Sequence, residues 1–355
     1  MNAEQTKVVF DCERMKYPHT GLYQFCLHLS KALIKHKRGE QLCFYTPSSV
    51  GDIFGKDVCY LRQKPLHKLF FPSVKNIALW HCAHQSSDYF PFQKGVKKVL
   101  TIHDLNYLND ERKDAAKKKK FAADLQRKID AADHLAFISH FTKTDVDKHF
   151  DLTNKPTSVI YNGCTIEELP VITPPSFLPS KPYLFTLGTV TEKKNFHVLP
   201  RLLTGNDFLL VIAGITQSES YKERIIQEAR TYGVDDRVVF PGPVGDNDKQ
   251  WYLKNCTAFV FPSIAEGFGL PVIEAMYFGK PVLLSKATSL PEIGGTVAEY
   301  FADFTQEEMQ KALFALLQRF GDNPSLQAAV EQRASLFSWT EAAKQYLQVY
   351  QSLLQ

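Results

Sequence analysis

The sequence predicts an α/β fold in two domains, on three observations. Short β-branched and aromatic runs alternate with longer amphipathic stretches from end to end, the pattern of parallel strands joined by crossover helices. The length of 355 residues leaves room for two domains of about 150 residues, each able to bury its own core. A proline-dense segment interrupts the alternation near its middle, and the alternation then restarts.

In the first half, strands are expected at 7–11, 41–46, 77–81, 97–103, 134–139 and 157–161, with helices near 20–36, 111–131 and 141–150. Between 166 and 182, Pro170, Pro174, Pro175, Pro179 and Pro182 exclude regular structure through their fixed φ and missing N–H, so this segment reads as a linker. Beyond it, strands are expected at 183–188, 208–213, 237–240, 257–262 and 281–285, with helices near 196–203, 219–232, 247–254 and 271–278. The tail from 305 reads as three helices with apolar faces such as Leu313, Leu316 and Leu317. The expected division is a first domain at 1–165, a linker at 166–182 and a second domain at 183–355, whose last helix is able to pack back on the first. Two similar parallel sheets would face each other across a cleft.

The composition, 44% hydrophobic and 23% charged, is that of a soluble globular protein. The opening apolar run is too short for a signal peptide, and no stretch reaches the length needed to span a bilayer, so the expected location is the cytoplasm. Seven scattered cysteines, none in a C-x-x-C pair, read as reduced structural thiols rather than a disulfide framework or zinc cage. Residues 1–170 hold 26 Lys and Arg against 19 Asp and Glu, and residues 171–355 hold 16 against 19. The basic first half could meet anionic lipid headgroups at the inner membrane face or an acidic acceptor; a solvated surface is the plain alternative. Neither aromatic interleaving nor zinc-finger spacing points to nucleic acid.

The chemistry concentrates in residues 257–285, T-A-F-V-F-P-S-I-A-E-G-F-G-L-P-V-I-E-A-M-Y-F-G-K-P-V-L-L-S, which spell strand, loop, helix, stop and strand. Pro271 suits a first helical turn, and Gly279 with Pro281 suits its end. Gly267 and Gly269 let the backbone come close to a ligand where the helix start attracts phosphate, since unsatisfied N–H donors and the positive dipole end coincide there. Glu266 and Glu274 bracket that anion site. Glu274 could accept hydrogen bonds from ribose hydroxyls and Glu266 could reach a transferred sugar; equally, Glu274 could complement the dipole and Glu266 be a solvated loop residue.

The segment E-G-F-G-L-P-V-I-E-A-M at 266–276 resembles the E-x7-E motif of glycosyltransferase family 4, the retaining enzymes of the two-Rossmann-domain GT-B architecture. Further matches are Y-L-F-T-L-G-T-V-T-E-K-K-N at 183–195, R-V-V-F-P-G-P-V at 237–244, V-I-Y-N-G at 159–163, T-I-H-D-L at 101–105 and T-G-L-Y-Q-F at 20–25. The resemblance implies that Lys194 clamps the donor diphosphate, with Lys193 at a position where the family carries arginine. It implies that His103 contacts the donor sugar, that Gly21 lets backbone approach the diphosphate, and that Val244 lies where backbone meets the nucleobase. Gly267, Phe268, Gly269 and Leu270 would form the phosphate cradle, with Glu274 on the ribose and Glu266, Lys194 and His103 as the catalytic set. Thr189 stands where many members place arginine.

The activity implied is transfer of a hexose, mannose before others, from GDP-mannose or a UDP-sugar to a hydroxyl of a glycan or lipid-linked acceptor in envelope polysaccharide or lipopolysaccharide synthesis, with no cofactor. Asp145-Val-Asp147 and Asp246-Asn-Asp248 resemble metal-binding D-x-D pairs but fall at helix starts, and the 80–84 stretch W-H-C-A-H lacks a second half, so no metal is expected. A nicotinamide oxidoreductase is disfavoured because no G-x-G-x-x-G follows 7–11 or 183–188. An inactive nucleotide-sugar-binding or scaffold protein of the same fold is the reading from another class.

Overall fold

The computed structural model describes residues 7–355 apart from 19, 69, 71, 73–75, 111 and 112. The chain forms two compact units, one of residues 1–165 with 338–355 and the other of residues 166–337. The first carries seven parallel strands, β1 (Lys7–Asp11), β2 (Gln41–Thr46), β3 (Cys59–Arg62), β4 (Ile77–Cys82), β5 (Lys97–Ile102), β6 (His134–Phe137) and β7 (Thr157–Val159), in the order β3-β2-β1-β4-β5-β6-β7. The second carries six, β8 (Tyr183–Leu187), β9 (Leu209–Ala213), β10 (Val238–Gly242), β11 (Ala258–Phe261), β12 (Val282–Leu284) and β13 (Glu299–Tyr300), in the order β10-β9-β8-β11-β12-β13. Both orders reverse direction beside their first strand, which is where open α/β sheets bind ligands, outside the carboxyl ends of the strands.

In the first unit both sheet faces are covered, so central strands such as β1, buried from its second residue on, are near-continuous apolar runs. One face packs Phe10, Leu79 and Val99 under the helices Gly21–His36 and Trp339–Leu354. The other packs Trp80, Leu100 and Ile102 under the helix Ala115–Ala131. Residues 111 and 112, where the sequence reading begins that helix, lie outside the described residues. The helix Trp339–Leu354 is tied to the sheet by a buried polar relay: the Tyr350 hydroxyl and His81 Nδ1 are 2.5 Å apart, and His81 Nε2 meets Thr101 Oγ1 at 2.7 Å. Burial drives the His81 pKa down, so the ring is neutral and needs both partners.

Some expectations are corrected here. Cys43 and Cys59 are joined as a disulfide, with Cα atoms 4.4 Å apart, because the parallel register of β2 and β3 sets them side by side. The remaining cysteines are not disulfide-bonded. The helix expected at 196–203 is a 3₁₀ helix that contains Pro200, and the short strands β3 and β13 had no expectation. Residues 166–182 form no regular element, yet they are tied to the helix Asp246–Asn255. Gln250 binds the backbone of Leu169 and Glu167, Asn247 binds Thr173, and the Tyr252 hydroxyl donates to the Phe177 carbonyl.

Candidate functional site

The segment between β11 and β12 folds as loop and helix, with the helix at Leu270–Tyr277. Gly269 occupies its N-cap at φ 112°, a left-handed conformation that glycine alone adopts without strain and that leaves no side chain to cap the helix start. Pro271 sits in the first turn, where its missing N–H costs nothing. The loop before it is held by hydroxyl groups from the segment after β12. Ser289 Oγ donates to the Phe268 carbonyl at 2.8 Å, Glu266 N–H donates to Thr288 Oγ1 at 3.1 Å, and Ser285 Oγ donates to the Ser263 carbonyl.

At the other side of this loop, Lys194 Nζ lies 2.5 Å from Glu266 Oε1, and Ser263 Oγ donates to the same oxygen at 2.6 Å. The two charged side chains are only 12% and 13% exposed, so the pair is electrostatically much stronger than a surface ion pair. Lys194 also lies over the Phe261 ring, 4.9 Å from its centroid. The Lys193 side chain is exposed, and its carbonyl accepts from Ile264 N–H at 2.9 Å and Ser263 Oγ at 3.1 Å. Lys193 thus ties the two loops together through its backbone.

Gly188 follows β8 at φ 155°, within reach of Lys194, and half-buried Thr189 comes next. Gly214 approaches so closely that a Cβ there would lie 2.0 Å from the Gly188 carbonyl oxygen, so glycine is required at that position. Val244 is half-buried in the turn between β10 and the helix Asp246–Asn255. Glu274, in the helix Leu270–Tyr277, meets Lys249 Nζ at 3.2 Å. Lys194, Glu266, residues 267–270 and Glu274 therefore belong to one unit and to adjoining strand ends.

Gly21 and His103 belong to the first unit. Gly21 opens the helix Gly21–His36, capped by Thr20, whose side chain accepts from Tyr23 N–H. One turn on, the Phe25 ring meets the His103 ring edge-on at 4.6 Å. His103 follows β5 and is buried; its Nε2 donates to the Ala83 carbonyl at 2.8 Å, and its backbone N–H donates to Gln85 Oε1. Burial pulls its pKa down to about 4, with the Ala83 bond opposing, so the ring is neutral near pH 7 and Nδ1 carries the lone pair.

The rejected metal pairs have local partners. Asp147 accepts from Lys143 at 2.7 Å, Asp145 lies 3.7 Å from His149, Asp246 pairs with Lys249, and Asp248 accepts from Asn247. His84 Nδ1 accepts from Ser86 N–H, and His81 is engaged in the Tyr350 relay. Among the described residues, no group of three or more His, Cys, Asp or Glu could hold a metal ion. Sequence reasoning missed Ser263, Thr288, Ser289, Gly214 and Lys249; the serine and threonine content of S-K-A-T-S after β12 was the available signal for the loop clamps.

The model of the family Glycosyltransferase Family 4 matches residues 21–168, and that of Glycosyl transferases group 1 matches residues 174–335. The chain is 25% identical to O-antigen chain mannosyltransferase B of Escherichia coli over 98% of its own length and 100% of that protein's. It is 30% identical to the serotype-specific mannosyltransferase WbdA of Escherichia coli, over 49% of this chain and 22% of that one. Among solved structures, HepE of Anabaena in complex with UDP superposes with a TM-score of 0.75 at 15% identity, covering 98% of this chain and 100% of that one, which shows a shared GT-B fold.

Proposed function

Because the chain belongs to glycosyltransferase family 4 and is a glycosyltransferase, we propose that it transfers mannose from GDP-mannose to a hydroxyl of a glycan or lipid-linked acceptor in envelope polysaccharide or lipopolysaccharide synthesis. The observation that carries the mechanism is the Lys194–Glu266 pair beside the start of the helix Leu270–Tyr277. The full-length similarity to an O-antigen mannosyltransferase supports the choice of sugar.

In this reading the acceptor hydroxyl attacks the anomeric carbon from the face that the nucleoside diphosphate leaves, and configuration is retained. The leaving phosphate takes the hydroxyl proton. Charge that grows on that phosphate is met by Lys194 and by the helix-start backbone at 267–270, which act in a preorganised site. Glu266 orients the sugar and stabilises the positive charge on its ring. Glu274 accepts from the ribose, backbone near Val244 meets the base, and Gly21 and Thr189 leave room for the diphosphate. His103, neutral and buried, offers Nδ1 to a sugar hydroxyl. The local partners of Asp145, Asp147, Asp246 and Asp248 support a reaction without metal.

Mannose transfer from GDP-mannose to a lipid extract, run in excess chelator beside thermal shifts with GDP-, UDP- and ADP-sugars, tests this reading. At 100 times its dissociation constant the true donor should stabilise the fold by about 2.7 kcal/mol. Stabilisation by a UDP-sugar with GDP-mannose silent overturns the donor, and activity lost to chelator and restored by Mn²⁺ overturns metal independence.

Among the described residues, no helix is long and apolar enough to cross a membrane. The excess of Lys and Arg in residues 1–170 supports peripheral contact with the inner membrane face. Flotation with anionic vesicles should show binding that fades as salt rises; equal binding to neutral vesicles overturns this reading.

A further inference from the structure

We propose that Lys249 is a positioning residue that holds Glu274 for the donor ribose, so that the nucleoside is recognised by a Lys249–Glu274 pair rather than by Glu274 alone. The proposal rests on the reading of Glu274 as the ribose acceptor. Lys249 lies near the start of the helix Asp246–Asn255, directly after the turn that contains Val244. Its ammonium is 3.2 Å from Glu274 Oε1 and 3.3 Å from Asp246 Oδ1. Lys249 is 23% exposed along its side chain and Glu274 17%, so the contact is sheltered from bulk water. Burial works against the Lys249 charge, yet the Glu274 and Asp246 carboxylates overcome it and hold the pKa above the ordinary lysine value.

One cation between two carboxylates does two things. It anchors Glu274 through Oε1, which leaves Oε2 to accept from the vicinal 2′- and 3′-hydroxyls of a ribose. It also pairs with Asp246, whose side chain is 80% exposed, so the ammonium is held from the solvent side as well. Without Lys249, Glu274 regains rotamer freedom, and ordering it again falls on the ligand. The ammonium also links the base-side turn to the ribose-side helix, two elements that no backbone ladder joins.

Calorimetry on the full chain tests this with GDP and UDP, each beside its 2′,3′-dideoxy analogue, the tighter base being used. Wild type should prefer the ribonucleotide by about tenfold or more, the range for a charged hydrogen bond. Lys249→Met should lose about tenfold in ribonucleotide affinity and little in affinity for the dideoxy analogue, so the preference collapses. At saturating donor, kcat should stay within about twofold, and Lys249→Arg should restore much of the preference. A general structural defect would weaken both ligands alike, and that outcome overturns the proposal. Where Lys249→Met does not fold, Lys249→Gln carries the same comparison. If wild type shows no preference, the ribose reading of Glu274 falls and the proposal with it. If wild type shows the preference and the variant keeps it, the proposal alone falls.

Discussion

Glu266→Gln should lower kcat by about 10²–10³-fold, the cost of deleting one preorganised stabiliser, while nucleoside diphosphate binding becomes tighter. The two effects have one structural origin. Glu266 Oε1 is the counter-ion of the Lys194 ammonium at 2.5 Å and also accepts from Ser263. In the proposed mechanism a donor diphosphate takes Lys194 from that carboxylate, so part of its binding energy goes into breaking a sheltered ion pair. Glutamine keeps the shape and removes the competition, which should tighten GDP or UDP by about three- to tenfold, since a hydrogen bond to a charged group contributes about 1.5–3 kcal/mol and only part of it is at stake. The same substitution removes the negative charge that would face the oxocarbenium-like sugar, and only the transition state feels that loss. Calorimetry for the product nucleotide beside steady-state transfer separates the two. Weaker nucleotide binding with unchanged kcat would show that Glu266 holds the ground state and does not act on developing charge.

Much of the layout was legible because periodicity reports how a local segment is buried. The strands β1 and β2 coincide with the runs 7–11 and 41–46, and the helix Leu270–Tyr277 starts at the glycine–proline signal that marks it. The edge strands β3 and β13 were not legible: β3 is half-buried throughout and β13 has two residues, so neither shows a sustained pattern. The Cys43–Cys59 bond depends on the register between two neighbouring parallel strands, and residue spacing does not encode register.

In the candidate site, the resemblance pointed to Glu266, Glu274 and Lys194 but not to the side chains that hold them. Lys249 meets Glu274 across 25 positions, and Ser289 reaches the Phe268 carbonyl across 21; such partners are set by how strand ends adjoin, not by any local signal. Lys193 adds a contact of the same kind: its carbonyl binds the Ser263 loop, a backbone role that residue type does not signal.

Lys194→Ala should be the most damaging single change, with kcat/KM falling by about 10³-fold or more. The proposed mechanism asks Lys194 to act twice. In the ground state it would supply a charged hydrogen bond to the diphosphate, about 1.5–3 kcal/mol; in the transition state it would meet the charge that arrives on the leaving phosphate, where losing one preorganised donor costs about 2.7–4 kcal/mol. Both KM and kcat should therefore suffer, unlike in Glu266→Gln, where only kcat does. The variant also strands Glu266 without its cation in a site where that side chain is 13% exposed, so nucleotide binding must overcome a carboxylate that now repels the diphosphate. The double variant Lys194→Ala/Glu266→Gln makes this quantitative. With Lys194 gone, the competition that Glu266→Gln relieves no longer exists, but the repulsion does. Adding Glu266→Gln should thus recover part of the nucleotide affinity lost in Lys194→Ala and leave kcat near its floor, because residues that act as a unit are not additive. Calorimetry on the four proteins of this cycle, with single-turnover transfer alongside, checks it. A double variant that binds nucleotide more weakly than Lys194→Ala alone would mean that Glu266 contributes directly to diphosphate binding, and the exchange of partners at Lys194 would then be the wrong account of donor entry.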